Sequence, residues 1–320
     1  MTSGRPAAAP STPLILGIGL TATAGIGLGM VAYGRSVAAQ RFRLRHHEIE
    51  VLPAGSPPLR ILHVSDIHYV PGQRHKARWL RSLAETDPDL VVNTGDNLAY
   101  PESVPEVLEA LEPLRRFPGV FVPGSNDYYI ARRRNPLAYL WRPSRLAADP
   151  PQLPWRSFFA HLTDSGWSDL TNRSLQMTVG GRPVQLSGVD DPHIGRDRFA
   201  GWPADAAQGD ALRIGVAHAP MGRVLSQFSD TGADLVLAGH THGGQVCLPG
   251  EVALTTNCDL PRRQAKGVST VTAGDGRSVA LHVSAGVGTV VRAPFRLNCP
   301  PEACVIDLVP ARAGNALLHL

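Results

Sequence analysis

The sequence predicts a layered α/β or α+β fold preceded by one apolar segment. From Leu59 onward, short apolar runs end in polar clusters and are often followed by helical stretches. This is the pattern of buried strands that alternate with helices. The 32 glycines and 28 prolines among 320 residues favour many turns over long helices. A chain of this length that is 43% hydrophobic can bury a substantial core in one large or two ordinary domains.

The first predicted element is a hydrophobic segment near the N-terminus. No charged residue occurs between Arg5 and Arg35, and residues 14–34 within that gap are apolar almost throughout. Their length suits a bilayer-spanning helix, so we expect a single transmembrane anchor there, after an N-terminal tail at residues 1–13. A cleaved secretory signal is the alternative, since residues 37–39 fit a cleavage site. Basic residues are more numerous after the segment than before it, which favours a cytoplasmic main domain, with an exported domain as the alternative.

The main domain is predicted at residues 59–310. A linker with an expected edge strand occupies residues 35–58, and a tail occupies residues 311–320. The predicted strands are residues 59–64, 90–92, 120–122, 185–189, 213–217, 235–238, 280–283 and 304–309. The predicted helices are residues 75–86, 103–117 and 221–228. Ligand sites in such sheets lie beyond the carboxyl ends of the strands.

Five polar clusters follow five of the predicted strands. Their chemistry-bearing residues are Asp66 and His68, then Asp96, then Asn126 and Asp127, then His218, then His240 and His242. Taken singly, each cluster is ordinary: Asp-x-His is often a surface feature, and Gly-Asp-Asn is often a turn. Together, in order and at strand ends, they predict a two-metal site. Two cations about 3.5–4 Å apart can supply a nucleophile and neutralise the charge that develops on a phosphate ester. Mn²⁺, Fe²⁺ and Zn²⁺ accept mixed imidazole and carboxylate ligands.

These clusters resemble the signature of the calcineurin-like metallophosphoesterases. A further resemblance is to the bacterial membrane-associated, phosphodiesterase-like branch of this family. It lies in residues 188–191, 284–288 and 300–302. The resemblance implies a four-layer α/β/β/α sandwich and two metal sites. It implies that the first metal is bound by Asp66, His68, Asp96 and His242. It implies that the second is bound by Asp96, His218 and His240, with Asp96 bridging.

The third cluster departs from the family pattern. The family usually has Gly-Asn-His-Asp, whereas this chain has Gly124-Ser125-Asn126-Asp127. Either Ser125 replaces the amide ligand and Asn126 replaces the histidine, or the loop shifts by one residue and Asn126 becomes the amide ligand of the second metal. We take Asn126 as a candidate ligand, and Asp96, Asn126 and Asp127 as the candidate catalytic residues. Since no histidine acid remains in this cluster, we expect a preference for pyrophosphates or activated diesters over alkyl phosphates.

A basic insert follows the third cluster. Residues 128–148 contain no acidic residue and interleave arginines with aromatic side chains. Arg132, Arg133 and Arg134 are candidate substrate-binding residues, because arginine makes bidentate phosphate contacts and aromatic rings favour the membrane interface. The alternative interpretation is that the insert is a solvated basic loop without a binding role. A nucleic-acid groove is not expected, because no stacking platform is evident.

The sequence therefore predicts a membrane-anchored hydrolase that uses two divalent metal ions, Mn, Fe or Zn. It should cleave a phosphoester or pyrophosphate bond on a lipid-linked or envelope-related substrate. One alternative is a phosphodiesterase or phosphatase that acts on a soluble substrate. Another is a membrane-bound pseudoenzyme that only binds phospholipid headgroups, which the altered third cluster favours and the intact Asp and His residues oppose. The four cysteines form no CxxC pair, which argues against a zinc knuckle.

Overall fold

The computed structural model describes residues 25, 27–131, 149–204, 211–291 and 293–311. Most of the predicted anchor, at residues 14–24 and 26, lies outside the described residues, as do the candidate residues Arg132, Arg133 and Arg134. The described part of the apolar segment forms helix α1, at residues 27–36. In these described ranges, no helix is both long and apolar enough to cross a bilayer.

Two six-stranded sheets and a small hairpin contain the strands of the described residues. In chain order these strands are β1 (Arg43–Leu52), β2 (Leu59–Val64), β3 (Leu90–Asn93), β4 (Gly119–Phe121), β5 (Ser168–Asp169), β6 (Arg173–Val179), β7 (Arg182–Gly188), β8 (Leu212–Ala217), β9 (Leu235–Ala238), β10 (Cys247–Leu248), β11 (Val252–Ala253), β12 (Gly267–Thr272), β13 (Ser278–Val283) and β14 (Glu302–Pro310). The first sheet has the order β1-β14-β2-β3-β4-β5, and the second has the order β12-β13-β9-β8-β7-β6.

The strands that lead to the polar clusters lie side by side and run parallel. In the first sheet β2, β3 and β4 are parallel neighbours, and in the second sheet β8 and β9 are parallel neighbours. All residues of β3 and β9 are buried, and β2 exposes only Arg60. Strands that are covered on both faces appear in the sequence as continuous apolar runs, so they can be predicted from it.

Four of the helices in the described residues cover the outer faces of the two sheets. After α1 the helices are α2 (Arg74–Ser82), α3 (Ser103–Leu111), α4 (Ser125–Tyr128), α5 (Trp155–Asp164) and α6 (Gly222–Asp230). The four that cover the sheets are α2, α3, α5 and α6. In α6 the buried residues Val224, Leu225 and Phe228 recur at helical spacing and form one apolar stripe. Helix α3 passes into a 3₁₀ turn, Glu112–Arg116, where Pro113 cannot continue the α-helical hydrogen bonding.

Three apolar cores hold the layers together. Leu80 of α2, Leu111 of α3 and Phe158 of α5 pack on the outer face of the first sheet. Between the sheets, residues such as Ile61 of β2 pack with residues of β8 and β9. Phe228 of α6 covers the outer face of the second sheet. The order helix, sheet, sheet, helix is the four-layer arrangement that the resemblance implied.

Candidate metal centre

The fold brings the predicted ligands of the five clusters to one place. Each of them follows closely after a buried strand, so the carboxyl ends of strands in both sheets contribute. Six side chains are at most 6% exposed: Asp66, His68, Asp96, His218, His240 and His242. Because they come from two sheets, only the assembled sandwich forms the centre.

Asp66, His68 and His242 form the first group of ligands. One donor atom from each lies within 4.8 Å of the others. His68 Nε2 is 3.2 Å from His242 Nε2, and His242 Nε2 is 3.4 Å from Asp66 Oδ1. His68 Nε2 is also 3.4 Å from Asp96 Oδ2, which joins this group to the next.

Asp66, Asp96 and His218 form the second group, again with donor atoms within 4.8 Å. His218 Nε2 lies 3.4 Å from Asp96 Oδ2 and 3.3 Å from His240 Nδ1. The Asp96 carboxylate thus contacts histidines of both groups. It occupies the position that a carboxylate bridging two ions would need.

The backbone at the centre is held in unusual conformations. Asp66, His68, Asp96, His240 and His242 all have positive φ, between 41° and 69°. Such residues cost about 1–3 kcal/mol each and persist where the surroundings fix them, most often at functional sites. A Cβ added at Gly124 would lie 2.2 Å from Asp96 Oδ1, so only glycine fits beside this carboxylate.

An unpaired carboxylate oxygen indicates that the cluster is suited to cations. Among the described residues, the buried atom Asp66 Oδ1 has no hydrogen-bond partner. A buried polar atom left unpaired costs about 1–3 kcal/mol. Carboxylate and imidazole donors are the mixed set that borderline divalent metals accept. The residues therefore fit two divalent cations.

The protonation of the centre follows from burial and close charges. Burial raises the pKa of Asp66 to about 6, although His218 opposes the rise. Burial alone would raise the pKa of Asp96, but His218 and His68 hold it well below its ordinary range. Burial alone would lower the pKa of His218, but Asp96 raises it well above its ordinary value. These opposite shifts favour the charged forms of Asp96 and His218, whose nearest atoms lie 3.4 Å apart, whereas a histidine that binds a metal must be neutral.

Helix α4 carries the altered third cluster to the edge of the centre. The backbone N–H and the side-chain amide Nδ2 of Asn126 donate to the two carboxylate oxygens of Asp96, both at 2.7 Å. Since amide nitrogen and oxygen are assigned from such contacts, a flipped amide would present its oxygen at the same place. Asn126 thus reaches the centre in the position where an amide ligand is expected.

Asp127 binds the backbone of the Asp96 loop. Its carboxylate accepts hydrogen bonds from the backbone N–H groups of Asp96 and Asn97, both at 2.8 Å, and of Gly124 at 3.0 Å. These contacts fix the loop that carries Asp96 against the start of α4. They make Asp127 a positioning residue, and a direct catalytic role for it stays a prediction.

Two residues at the centre carry no signal in the sequence. Asn257 Nδ2 lies 3.1 Å from His240 Nε2, although Asn257 belongs to a loop without any recognisable motif. Lys76 is buried beside His68 and donates from Nζ to the carbonyl of Ile67 at 2.8 Å. Burial lowers the pKa of Lys76 to about 7. Only the folded arrangement reveals these two contacts.

A cavity of about 600 Å³ opens beside the metal centre. It reaches from His68 to the end of α1, the start of α2 and the loop around Gly288. Its basic side chains are Arg35, Arg74, His75 and Lys76. Phe42 lines it and stacks on Trp79, with ring centroids 4.9 Å apart and an interplanar angle of 21°. A substrate in this cavity would meet cationic and aromatic side chains together.

Comparison with known proteins also identifies phosphoesterases as relatives of this chain. A family model described as calcineurin-like phosphoesterase matches residues 59–244. An uncharacterized protein, YpbG, of Bacillus subtilis (strain 168) is 29% identical, over 79% of this chain and 82% of its own length. Phosphodiesterase YaeI of Escherichia coli (strain K12) is 26% identical, over 84% of this chain and 88% of its own length. A transmembrane protein with metallophosphoesterase domain from Bos taurus is 28% identical, over 61% of this chain and 43% of its own length.

Proposed function

Because this chain belongs to the calcineurin-like phosphoesterase family and is a metal-dependent phosphoesterase, we propose that it cleaves a phosphoester or pyrophosphate bond of a lipid-linked or envelope-related substrate. The cavity beside His68 carries the finer part of this proposal. It connects the metal centre to the end of the apolar helix α1 through basic and aromatic side chains. Such a lining suits a molecule with an anionic head and an apolar body.

In this proposal most residues of the centre bind the cations, and Asp127 positions one of these ligands. Asp66, His68 and His242 hold one cation, and Asp96 is shared with the site that His218, His240 and Asn126 form. Bound there, two divalent cations supply Lewis acidity and a nucleophile for phosphate-ester hydrolysis. Asp127 keeps Asp96 in place by holding its backbone N–H.

The proposed membrane anchor rests on the apolar N-terminal segment. Leu28 is 73% exposed, and Met30, Val31 and Tyr33 are also exposed along α1. These side chains continue the uncharged run of residues 14–34. Contiguous exposed apolar surface marks protein–protein or membrane contact sites. The similarity to a bovine protein named for its transmembrane character fits a membrane location.

The first test of the proposed centre is Asp96→Asn in the full-length protein. An amide removes the charge that offsets two close dications, so we expect most activity on a chromogenic diester to be lost. Bound metal, measured by elemental analysis, should fall in parallel. Asp230→Asn is the matched control, because Asp230 also accepts a backbone N–H, from Gly274, but is exposed and outside the centre. Near-normal turnover of Asp96→Asn at full metal occupancy would contradict the proposal.

A soluble phosphodiester is the second candidate substrate, and the similarity to phosphodiesterase YaeI favours it. A panel of soluble diesters and lipid pyrophosphates, assayed with and without detergent micelles, separates the two. Preference for the micellar lipid supports the first candidate. Equal or higher kcat/KM on the soluble diester supports the second.

A further inference from the structure

A second group of potential metal ligands lies between the two sheets and shares no residue with the metal centre. One donor atom each of His47 on β1, His282 on β13 and Cys304 on β14 lies within 4.8 Å of the others. His282 and Cys304 are fully buried, and His47 is half-buried. The strands explain this arrangement: β1 and β14 are neighbours in the first sheet, and β13 faces them from the second.

A chain of hydrogen bonds orients the ring of His282. Its Nδ1 lies 2.9 Å from Nδ1 of His63, whose Nε2 lies 2.9 Å from Oγ1 of Thr94. If His282 Nδ1–H donates to His63, then His63 Nε2–H donates to Thr94 and every bond has one donor. This tautomer leaves His282 Nε2 as a bare acceptor. A metal-binding histidine typically has this form, with its other ring nitrogen donating to a neighbour.

Hydrogen bonding does not account for the other ring nitrogen of His282, Nε2. Within the described residues, the buried atom His282 Nε2 has no hydrogen-bond partner. A cluster that served only as a hydrogen-bonded polar core would have paired this atom, since nearly all buried polar groups are paired. The unpaired nitrogen belongs to a ring with a donor atom within 4.8 Å of those of Cys304 and His47, which is the setting expected of a metal ligand.

The protonation states agree with metal binding. Burial lowers the pKa of His63 to about 3 and also lowers those of His47 and His282, so the rings are neutral at physiological pH. Neutral imidazole is the form that binds a metal. Burial raises the pKa of the Cys304 thiol, which therefore keeps its proton until a metal displaces it.

We propose that His47, His282 and Cys304 bind a divalent transition metal of the zinc class between the sheets. Two imidazoles and one thiolate suit zinc, and half-buried His47 leaves the fourth position to water. When the Sγ–metal bond forms, Cys304 releases its proton to solvent. Zn–N and Zn–S bonds of about 2.0–2.3 Å bring tetrahedral ligands to roughly 3.3–3.7 Å apart. The donor atoms lie within 4.8 Å of one another, so metal binding would draw them closer by up to about 1 Å.

The site would join β1 and β14 of the first sheet to β13 of the second. It also lies at the end of the chain through His63 to Thr94, whose carbonyl oxygen is 2.7 Å from His218 Nδ1. Metal bound there would therefore stabilise the sandwich and support the orientation of His218.

Cobalt substitution of the full-length protein distinguishes this site from the metal centre. A thiolate bound to Co²⁺ gives a near-ultraviolet charge-transfer band, whereas the Asp and His residues of the metal centre contain no sulfur. We expect the band in the wild type and about three metal ions per chain, against the two that a two-metal centre holds. Cys304→Ser should lose the band and one metal ion. Cys258→Ser, at a half-buried cysteine outside both sites, should keep both.

His47→Gln covers the case in which Cys304→Ser does not fold, because His47 is half-buried on an edge strand. It should shift the band and weaken cobalt affinity at least tenfold, as loss of a ligand or its support does. A wild type without the band, or a band that survives Cys304→Ser, overturns the proposal. So does a His47→Gln protein whose spectrum and cobalt affinity match the wild type.

Discussion

Asp127 is the residue whose role the structure changes most. The sequence places it beside the candidate catalytic residues, but its carboxylate accepts backbone N–H groups from Asp96, Asn97 and Gly124. In Asp127→Asn one acceptor oxygen becomes an NH₂ donor that faces these N–H groups. We expect metal affinity to fall about 10–100-fold, as for other groups that orient metal ligands. The measurement is diesterase activity against metal concentration.

Saturating metal separates positioning from catalysis. If Asp127 only positions Asp96, kcat of Asp127→Asn should recover at high metal concentration. A kcat that stays low under full occupancy would instead give Asp127 the direct role predicted from the sequence. Asp230→Asn, which also removes one carboxylate acceptor of a backbone N–H, should match the wild type at every metal concentration.

At the scale of single residues, the sequence predicts the candidate metal ligands better than it predicts the residues that contact and orient them. Asp66 and His68 stand in a recognisable motif because a single loop brings both to the same group of potential ligands. Asn257 contacts His240 from a separate loop, where nothing in its own neighbourhood requires an asparagine. Supporting contacts of this kind depend on how loops meet in the folded chain, so local sequence carries no trace of them.

Among the structural elements, two loops beside the metal centre are held by one buried arginine. Arg296 is fully buried and donates to the carbonyls of His242 at 3.3 Å, Ala285 at 2.6 Å and Gly286 at 3.0 Å. Its Nε also donates to the carbonyl of Gly288 at 3.0 Å. The guanidinium thus ties the turn after β9 to the loop after β13.

Replacing Arg296 by lysine tests this clamp. Lysine keeps the charge, but its three donors sit on one atom and cannot reach carbonyls on both loops. Buried carbonyls that lose their donor cost about 1–3 kcal/mol each, so we expect Arg296→Lys to lower the free energy of unfolding by about 2–4 kcal/mol. Urea denaturation measures this change. Arg263→Lys, at an exposed position, should alter it little; equal stability of the two variants would refute the clamp.

The elements that the sequence predicts well are those buried on both sides. Strands β2 and β9 match the predicted residues 59–64 and 235–238, since continuous apolar runs mark both. Helix α5 and strand β6 were not predicted. Strand β6 lies at a sheet edge and buries only Val179, so it has no continuous apolar run to mark it. Burial on one face leaves a weaker pattern in the sequence.

On the scale of the whole molecule, the C-terminal end of helix α1, the cavity and the metal centre follow one another in space. Arg35, at the end of α1, and His68, in the metal centre, line the same cavity. We expect full-length protein to fractionate with membranes and to resist extraction by high salt, because burial of an apolar segment is insensitive to screening. Uncleaved full-length protein in the soluble fraction would contradict the proposed anchor.

Deleting residues 1–34 tests whether the anchor also serves the substrate. The shortened protein should be soluble, because it lacks the apolar segment. It should keep its kcat on a small chromogenic diester, because the candidate metal ligands all lie beyond residue 59. On a lipid pyrophosphate in micelles its kcat/KM should fall at least tenfold, since the contact of the apolar segment with the lipid surface is lost while the cavity-lining residues, which begin at Arg35, are kept.

A full-length Leu28→Asp, Val31→Asp variant is the control, because it keeps the whole segment but charges the exposed face of α1. If this variant fails on the lipid as the deletion does, membrane contact delivers the substrate. If it matches the wild type while the deletion fails, residues 1–34 serve the substrate by a route other than the exposed face of α1. Equal activity of all three proteins on the lipid would show that the substrate does not approach along α1.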